Sequence, residues 1–396
     1  MAQYPDLIHS LPAPGPEAAA HSARLIERIR TEISAQGGSI PFARFMELAL
    51  YAPGLGYYSA GARKFGVHGD FITAPELSSL FSRCVARQCQ EILARVGGEI
   101  LELGAGSGIM AADVLLELEA LGSLPARYAI LEVSGELRER QRMTVAKRTP
   151  HLLARVEWLE ALPDRGWRGV IVGNEVLDAM PVQRFRITNR GPVPLRIAWE
   201  EGGFTWWEGA LDKNLTAALR TLQAEMSFTL PLGYESEFNP YLNAWLLALA
   251  EALEAGVLLL IDYGYPRREY YHPQRVGGTL ICHYRHRAHS DPLLLVGLQD
   301  ITANVDFTAV AEAAIAAGFE IAGYTGQGYF LFGCGLEKLL AEADPEDTVR
   351  YLALVRQVKL LTLPGEMGER FKAIALARGV DIPLRGFSVF DERGRL

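Results

Sequence analysis

Between Glu99 and Gly173, short apolar runs alternate with segments of helical length, and this alternation constrains the fold more than any other feature of the chain. Glu99 to Leu103 reads as a strand and Ile109 to Leu121 as a helix; Tyr128 to Val133 reads as a strand and Gly135 to Lys147 as a polar-faced helix. Val156 to Leu159 and Val170 to Gly173 are two further strands. Val257 to Ile261 is an unbroken apolar run, as a strand requires when both its faces are covered. Strand–helix–strand units join parallel strands by right-handed crossovers, so this order predicts a doubly wound, mostly parallel α/β sheet. Phe307 to Ala317 reads as a later helix. Glu320 to Tyr324 and Tyr329 to Cys334 flank Thr325-Gly326-Gln327-Gly328 and predict a β-hairpin that supplies one antiparallel strand.

The flanks follow other patterns. Residues 1 to 20, rich in Pro and Ala, read as an arm. A helix is expected from about Ala19 to Ala35, with Leu25, Ile26, Ile29 and Ile33 at helical spacing, and another over Phe42 to Leu50, stopped at Pro53-Gly54. The aromatic turn Gly56-Tyr57-Tyr58 follows. Thr73-Ala74-Pro75-Glu76 matches a capping box with proline near the helix start, opening a helix to about Arg95. Between Phe185 and Ala255 the alternation breaks down. Arg184 to Ile187, Leu195 to Trp199 and Phe204 to Glu208 predict a small antiparallel sheet, with adjacent Trp206 and Trp207 on opposite faces. A helix is expected over Tyr241 to Glu254. The segmentation is then 1–98 as arm and helical cover of a cofactor site, 99–183 with 257–335 as the core, 184–256 as an inserted substrate-cleft subdomain, and 336–396 as a C-terminal helical segment.

Bulk properties narrow the function. The 396 residues are 49% hydrophobic, enough for a large core, and the net charge of −8 comes without a concentrated basic stripe, which disfavours a nucleic-acid substrate. Gly, Pro or charge interrupts every apolar run before it could span a bilayer, so no membrane insertion is expected. Cys84, Cys89, Cys282 and Cys334 include no pair at CxxC spacing, which fits a reducing compartment without a zinc or redox motif. The N-terminus has neither signal-peptide nor transit-peptide character, and a cytoplasmic location is the expectation.

The strongest site signal is Leu101-Glu102-Leu103-Gly104-Ala105-Gly106-Ser107-Gly108, where the first core strand meets the first core helix. Glycines there permit a tight turn and close approach of a ligand to a helix N-terminus. A dinucleotide fingerprint would need a third glycine at position 109, which is Ile, so NAD is the weaker reading. Glu102, ahead of the first glycine, suits a ligand with a free amino group, such as the methionine part of S-adenosyl-L-methionine. Glu132 at the end of the second strand can accept two hydrogen bonds from a ribose diol; the plainer alternative is a solvated strand-end acid. Val133 beside it and Leu159 at the end of the third strand complete this set of cofactor candidates.

Asn174-Glu175-Val176-Leu177-Asp178-Ala179-Met180-Pro181 follows the fourth strand, at the switch point where open α/β sheets bind ligands. Methyl transfer is an in-line displacement governed by positioning and electrostatics. Asn174 offers a carbonyl to an incoming nitrogen, and Glu175 with Asp178 can clamp a cation such as guanidinium. The plainer alternative is a helix cap at Asp178 and a solvated Glu175. His283, His286 and His289 are evenly spaced but lie beside Arg285 and Arg287 with only Asp291 as a further ligand type, so surface or substrate contacts are favoured over a metal.

Together these motifs resemble the MidA-like methyltransferase family, whose mitochondrial members assist complex I assembly by dimethylating an arginine on a core subunit. The similarity runs from about Pro41 onward. It rests on Gly56-Tyr57-Tyr58, Gly69-Asp70-Phe71-Ile72-Thr73-Ala74-Pro75-Glu76, the Glu102 to Gly106 turn, Glu132-Val133-Ser134 and Asn174-Glu175 to Pro181. Asp262-Tyr263-Gly264, Asp300 to Ala303, Val305-Asp306-Phe307 and Gly365 to Glu369 extend it. The resemblance implies a class I, Rossmann-like methyltransferase fold with a seven-stranded sheet, and places Thr73, Pro75 and Glu76 near the cofactor. It also implies a protein arginine as acceptor, and S-adenosyl-L-homocysteine as product. The chain departs from the family at Asn239-Pro240, where Ser-Pro or Cys-Pro is usual. An assembly factor with little turnover, or a methyltransferase acting on another protein or a small molecule, are the alternatives. A homodimer is left open.

Overall fold

A computed structural model of the protein describes residues 11–59, 72–226 and 228–396. Among the described residues, seven strands form the main path of the eight-stranded principal sheet: β1 (Glu99–Leu103), β2 (Tyr128–Leu131), β3 (Val156–Leu159), β4 (Trp167–Asn174), β5 (Leu253–Tyr265), β6 (Glu320–Gly326) and β7 (Phe371–Arg378). Their order is β3-β2-β1-β4-β5-β7-β6. The pairs from β3 to β5 are parallel, and β7 runs antiparallel to both β5 and β6. The chain order reverses between β1 and β4, so the carboxyl ends of these two strands flank a crevice of the kind that holds ligands in doubly wound sheets. Register puts Leu103 opposite Gly173, which brings the start of the glycine turn level with Asn174.

The helices of this unit are α1 (Ala74–Leu77), α2 (Ser79–Val96), α3 (Ile109–Ala120), α4 (Gly135–Arg148), α5 (Leu242–Ala252), α6 (Phe307–Ala316), α7 (Gln327–Gly333), α8 (Leu336–Leu340), α9 (Thr348–Thr362) and α10 (Met367–Arg370). One core gathers Phe81, Val85 and Ile92 of α2 and Val114, Leu115 and Leu118 of α3 against Val170, Val172, Val257, Leu259 and Ile261. The strand members lie two apart, as one face of a pleated sheet demands. Residues 257–261 are all buried, as their unbroken apolar character predicts.

Two expectations fail here, each for a visible reason. The helix expected to run from Thr73 to Arg95 is two helices, separated by Ser78 in an extended conformation (φ −157°, ψ 132°). Thr73 makes no capping bond; Ser78 is the cap, accepting from the Leu80 N–H at 3.4 Å. The expected hairpin at 320–334 is a strand followed by α7, and the antiparallel strand is β7, inside the segment expected to be helical. Gly328 is there for close packing rather than for a turn, since a Cβ on it would lie 2.8 Å from the Thr362 carbonyl oxygen.

The chain forms two units, and the principal sheet belongs to the one comprising Ile72–Leu177, Leu242–Pro266 and Phe307–Leu396. The other comprises Met1–Phe71, Asp178–Tyr241 and Arg267–Asp306. Its helices Pro16–Ala35 and Phe42–Tyr51 pack on an antiparallel sheet of Ser39–Pro41, Gly191–Glu200, Gln183–Thr188 and Glu235–Phe238, with Gly203–Glu208 beside Gly191–Glu200. Phe42 meets Trp206 with ring centroids 5.0 Å apart, while Trp207 on the other face is 47% exposed. The N-terminal segment therefore joins the inserted sheet through Ser39–Pro41, which pairs with Arg196–Ala198. Residues 267–306 also go with this unit, and α5 with the core, so the expected boundaries at 98, 184 and 256 do not coincide with the observed ones.

Candidate active site

The glycine turn leaves β1 in a left-handed conformation, with φ +62° at Gly104, +53° at Gly106 and +80° at Gly108. Gly104 is the exposed floor of the turn; a Cβ there would stand 3.1 Å from the Val176 side chain. Gly108 caps α3 without a side chain, and its N–H closes the turn on the Ala105 carbonyl at 2.8 Å. Ser107 Oγ donates to the Glu76 carboxylate, which ties α1 to the turn. This explains Glu76 better than the capping box does. Thr73 and Pro75 lie on the same short segment, whereas Gly69 to Phe71, from the same motif, fall outside the described residues.

Glu102 lies beneath the turn rather than in it. It is 1% exposed, and its carboxylate accepts from the Tyr128 hydroxyl of β2 at 2.7 Å. Burial pushes its carboxyl up to about 7, against the Tyr128 hydrogen bond. Glu132 ends β2 and is also buried. One oxygen accepts from the Ser134 N–H at 2.9 Å and the other from Gln141 Nε2 at 3.0 Å. Burial raises its carboxyl above the ordinary range, and those two bonds oppose the rise. Val133 next to it is 74% exposed and Leu159 at the end of β3 is half-buried, so both present apolar surface beside the acid.

Gln141, Trp158, Ser107 and Asp262 are the functional candidates that sequence reasoning left without roles. Gln141 occupies the inward stripe of α4 together with Leu137 and Val145, and a fully buried amide in an apolar stripe at four-residue spacing is the signal that could have flagged it. Asp262 on β5 accepts from the Leu177 N–H at 2.9 Å and from the Tyr263 N–H at 2.8 Å, and so anchors the loop after β4.

That loop begins at Asn174. Its Nδ2 donates to Glu175 Oε1 at 3.0 Å, and its buried Oδ1 has no hydrogen-bond partner among the described residues. Glu175 has φ +54°, an uncommon conformation for a non-glycine residue, and its N–H is held by the Ile261 carbonyl at 2.9 Å. Asn174 and Glu175 thus come together at the switch point. Asp178 belongs to the other unit, where it is buried; its carbonyl accepts from the Ala303 N–H at 3.0 Å, and its charge acts on the Tyr58 phenol. No helix follows Asp178, so its reading as a helix cap falls. Asn239, the departure from the family pattern, accepts from the Tyr241 N–H at 2.9 Å.

The histidine series is divided by its hairpin. His283 is on strand Ile281–Tyr284, where burial pushes it down to about 4; His286 is in the turn, with φ +60°; His289 is on strand Arg287–His289. Among the described residues no group of three or more His, Cys, Asp or Glu is placed to hold a metal ion, and no helix is long and apolar enough to cross a membrane. All four cysteines are buried and unbridged.

Comparison with known proteins decides the class. Residues 84–325 match the family model described as S-adenosyl-L-methionine-dependent methyltransferase. The chain belongs to this family. A superfamily member from Burkholderia thailandensis, solved with S-adenosyl-homocysteine bound, is 45% identical, covers 98% of this chain and 100% of its own, and superposes with a TM-score of 0.93. The mitochondrial protein arginine methyltransferase NDUFAF7 homolog of Drosophila melanogaster is 29% identical over 95% of this chain and 92% of its own. The human protein arginine methyltransferase NDUFAF7 is 27% identical over 86% and 80%. The cofactor of this methyltransferase is S-adenosyl-L-methionine, and its own residues fit that group. An open glycine cradle lies at the end of β1, a buried acceptor carboxylate ends β2, and an orphaned amide oxygen ends β4.

Proposed function

We propose that this methyltransferase N-methylates arginine on a protein, with an acceptor of the respiratory complex I core-subunit type. The observation that carries the reading is the buried, unpartnered Oδ1 of Asn174 beside Glu175 at the switch point. A buried acceptor without a partner costs about 1–3 kcal/mol, which a guanidinium N–H donor would recover. The naming of several relatives as protein arginine methyltransferases supports the same acceptor.

In this reading the turn from Gly104 through Ala105 and Gly106 to Gly108 holds the methionine part of the cofactor. Glu132 takes the ribose diol, Val133 and Leu159 cover the base, and the Thr73-Pro75-Glu76 segment closes the cradle. Glu102 contributes negative charge from below the turn to the cofactor's amino group. When bound, S-adenosylmethionine supplies a sulfonium-activated methyl group for in-line displacement. Asn174 aligns the attacking nitrogen through its carbonyl oxygen. Glu175 is the carboxylate that holds and orients the guanidinium.

The test is purified enzyme with methyl-labelled cofactor and lysate protein, followed by acid hydrolysis and amino-acid analysis. The expected label is in methylarginine, and Asn174→Ala lowers incorporation roughly 100-fold while S-adenosylhomocysteine affinity stays within about threefold. Label in another amino acid overturns the arginine reading. Intact cofactor binding with no label in any product makes the protein a cofactor-binding assembly factor instead.

A further inference from the structure

The inward face of α4 presents Leu137, Gln141 and Val145, and the amide of Gln141 is wholly buried between two apolar neighbours. A Leu or Met there would fill similar space without the cost of burying an amide, so packing alone does not account for a glutamine. Its hydrogen bonds do. Trp158 Nε1 donates to Gln141 Oε1 at 3.0 Å; Gln141 Nε2 donates to the Gly106 carbonyl at 3.2 Å and to Glu132 Oε2 at 3.0 Å. An indole N–H can only donate, while a carbonyl and a carboxylate can only accept. The amide therefore has a single admissible orientation, with its oxygen towards β3 and both N–H groups towards the glycine turn and the acid of β2. Contact is close as well as polar, since a Cβ on Gly108 would lie 2.9 Å from Gln141 Cα.

We propose that Gln141 is a positioning residue for the cofactor's ribose: Trp158 orients its amide, and the amide fixes the Glu132 carboxylate and the glycine turn in one geometry. This rests on the reading that the ribose lies at Glu132. The Ser134 N–H on Oε1 and Gln141 Nε2 on Oε2 hold both oxygens of the carboxylate, and the Val133 N–H also bonds to it. A diol meeting it pays no reorganisation. The same donors favour the ionised, accepting form against burial. Among charged groups, Arg138 of α4 also favours the anion, and is itself paired with Glu160 beyond β3. On the turn side Ser107 is bonded to a further acid, Glu76, and Glu102 lies on the neighbouring strand β1.

The test is the dissociation constant of S-adenosylhomocysteine, measured by calorimetry between about pH 5 and 8 on the full chain. Gln141→Met is expected to weaken binding about tenfold at neutral pH and to move the acid-side loss of affinity to higher pH. Gln141→Glu sets a second carboxyl against Glu132, so the pair holds one proton and affinity falls as pH rises, opposite to the native trend. Trp158→Phe leaves Gln141 in place but frees its orientation, with an expected loss of about threefold. If Gln141→Met does not fold, the other two variants carry the test. Affinities within twofold of native and an unchanged pH profile overturn the proposal. Glu132→Ala separates the two claims. Unchanged affinity in Glu132→Ala removes the ribose reading itself, whereas weakened Glu132→Ala with unaffected Gln141 variants removes only the role of Gln141.

Discussion

Alanine at Gly169 probes the sheet at the end away from the glycine turn. Gly169 lies in β4 with φ +122°, between Glu99 of β1 and Gly256 of β5. A Cβ there would stand 2.2 Å from the Glu99 carbonyl oxygen and 2.7 Å from its nitrogen, and both are backbone atoms of a central strand that cannot swing aside. Gly256 makes the matching approach from the other side, its own Cβ position being 1.9 Å from the Gly169 oxygen. The penalty has two parts. Holding alanine at that φ costs about 1–3 kcal/mol, and forcing strands apart in a packed core costs about 1–3 kcal/mol more. Gly122, in the same unit, gives a lower bound on the first part: its φ is +63°, in the milder left-handed α region, and nothing lies within 4 Å of its Cβ position. Gly122→Ala should lose only about 1–2 kcal/mol. Urea unfolding followed by circular dichroism gives both losses. Asn174 is at the opposite end of β4, so folded Gly169→Ala should bind S-adenosylhomocysteine within about twofold of native. A loss for Gly169→Ala no greater than for Gly122→Ala would refute the close-approach argument.

Other outcomes follow from single contacts. Ser78→Ala should cost about 1 kcal/mol in urea unfolding, as loss of a helix cap does, while Thr73→Ala should cost less than about 0.5 kcal/mol; equal losses would contradict the observed helix break. Burial pushes the Glu102 carboxyl up to about 7 from an ordinary 4.5, so the folded state holds its proton more tightly and stability declines as pH rises across that window. Glu102→Gln keeps an acceptor for Tyr128 and should flatten the decline; melting temperatures that fall with pH as steeply as in the native enzyme would count against it. Asp262→Asn should leave the Leu177 N–H or the Tyr263 N–H facing a donor, costing about 1–3 kcal/mol. It should also slow methyl transfer at least about tenfold through the loop after β4; an unchanged rate would mean that the loop is held in some other way.

The parallel strands were legible because burial on both faces leaves a direct trace in composition, as at Val257 to Ile261. The antiparallel strand β7 was not. Its Phe371–Arg378 segment offers alanines at 373, 375 and 377, which the core uses as a flat face, and neither periodicity nor bulk distinguishes such a run from a helix. The same limit applies to Glu76. Thr73 and Glu76 have capping-box spacing, but the acid is taken by Ser107, some thirty residues away in the chain, and a contact at that range leaves no local pattern. Glu132 and the glycine turn were legible as candidates from their positions at strand ends. Gln141 was passed over because a polar residue on a polar-faced helix attracts no notice until the buried side of that helix is known.

The division into units adds a constraint on how such an enzyme can vary. The chain leaves the sheet-bearing unit after Leu177, just beyond β4, and again after Pro266, just beyond β5. Both departures are at the carboxyl ends of neighbouring parallel strands, the edge at which doubly wound sheets bind ligands. An insertion at the opposite edge would meet the glycine approaches at Gly98, Gly169 and Gly256, where backbone oxygens lie within 2.2 Å of the would-be Cβ positions and leave no room for rearrangement. The tight edge therefore sets the sheet, and the open edge accepts long additions without disturbing strand register. On this argument, changes of acceptor specificity among related chains should concentrate in Asp178–Tyr241 and Arg267–Asp306, while residues of the sheet-bearing unit such as Gly104, Glu132 and Gln141 stay unchanged. Exchanging those two segments together with the chain before residue 72, whose helices Pro16–Ala35 and Phe42–Tyr51 pack on the same sheet, between this chain and a relative of different specificity should transfer acceptor choice and leave S-adenosylhomocysteine affinity within about threefold. A chimera that binds the cofactor normally but keeps the acceptor preference of its core would show that specificity is set by the sheet-bearing unit instead.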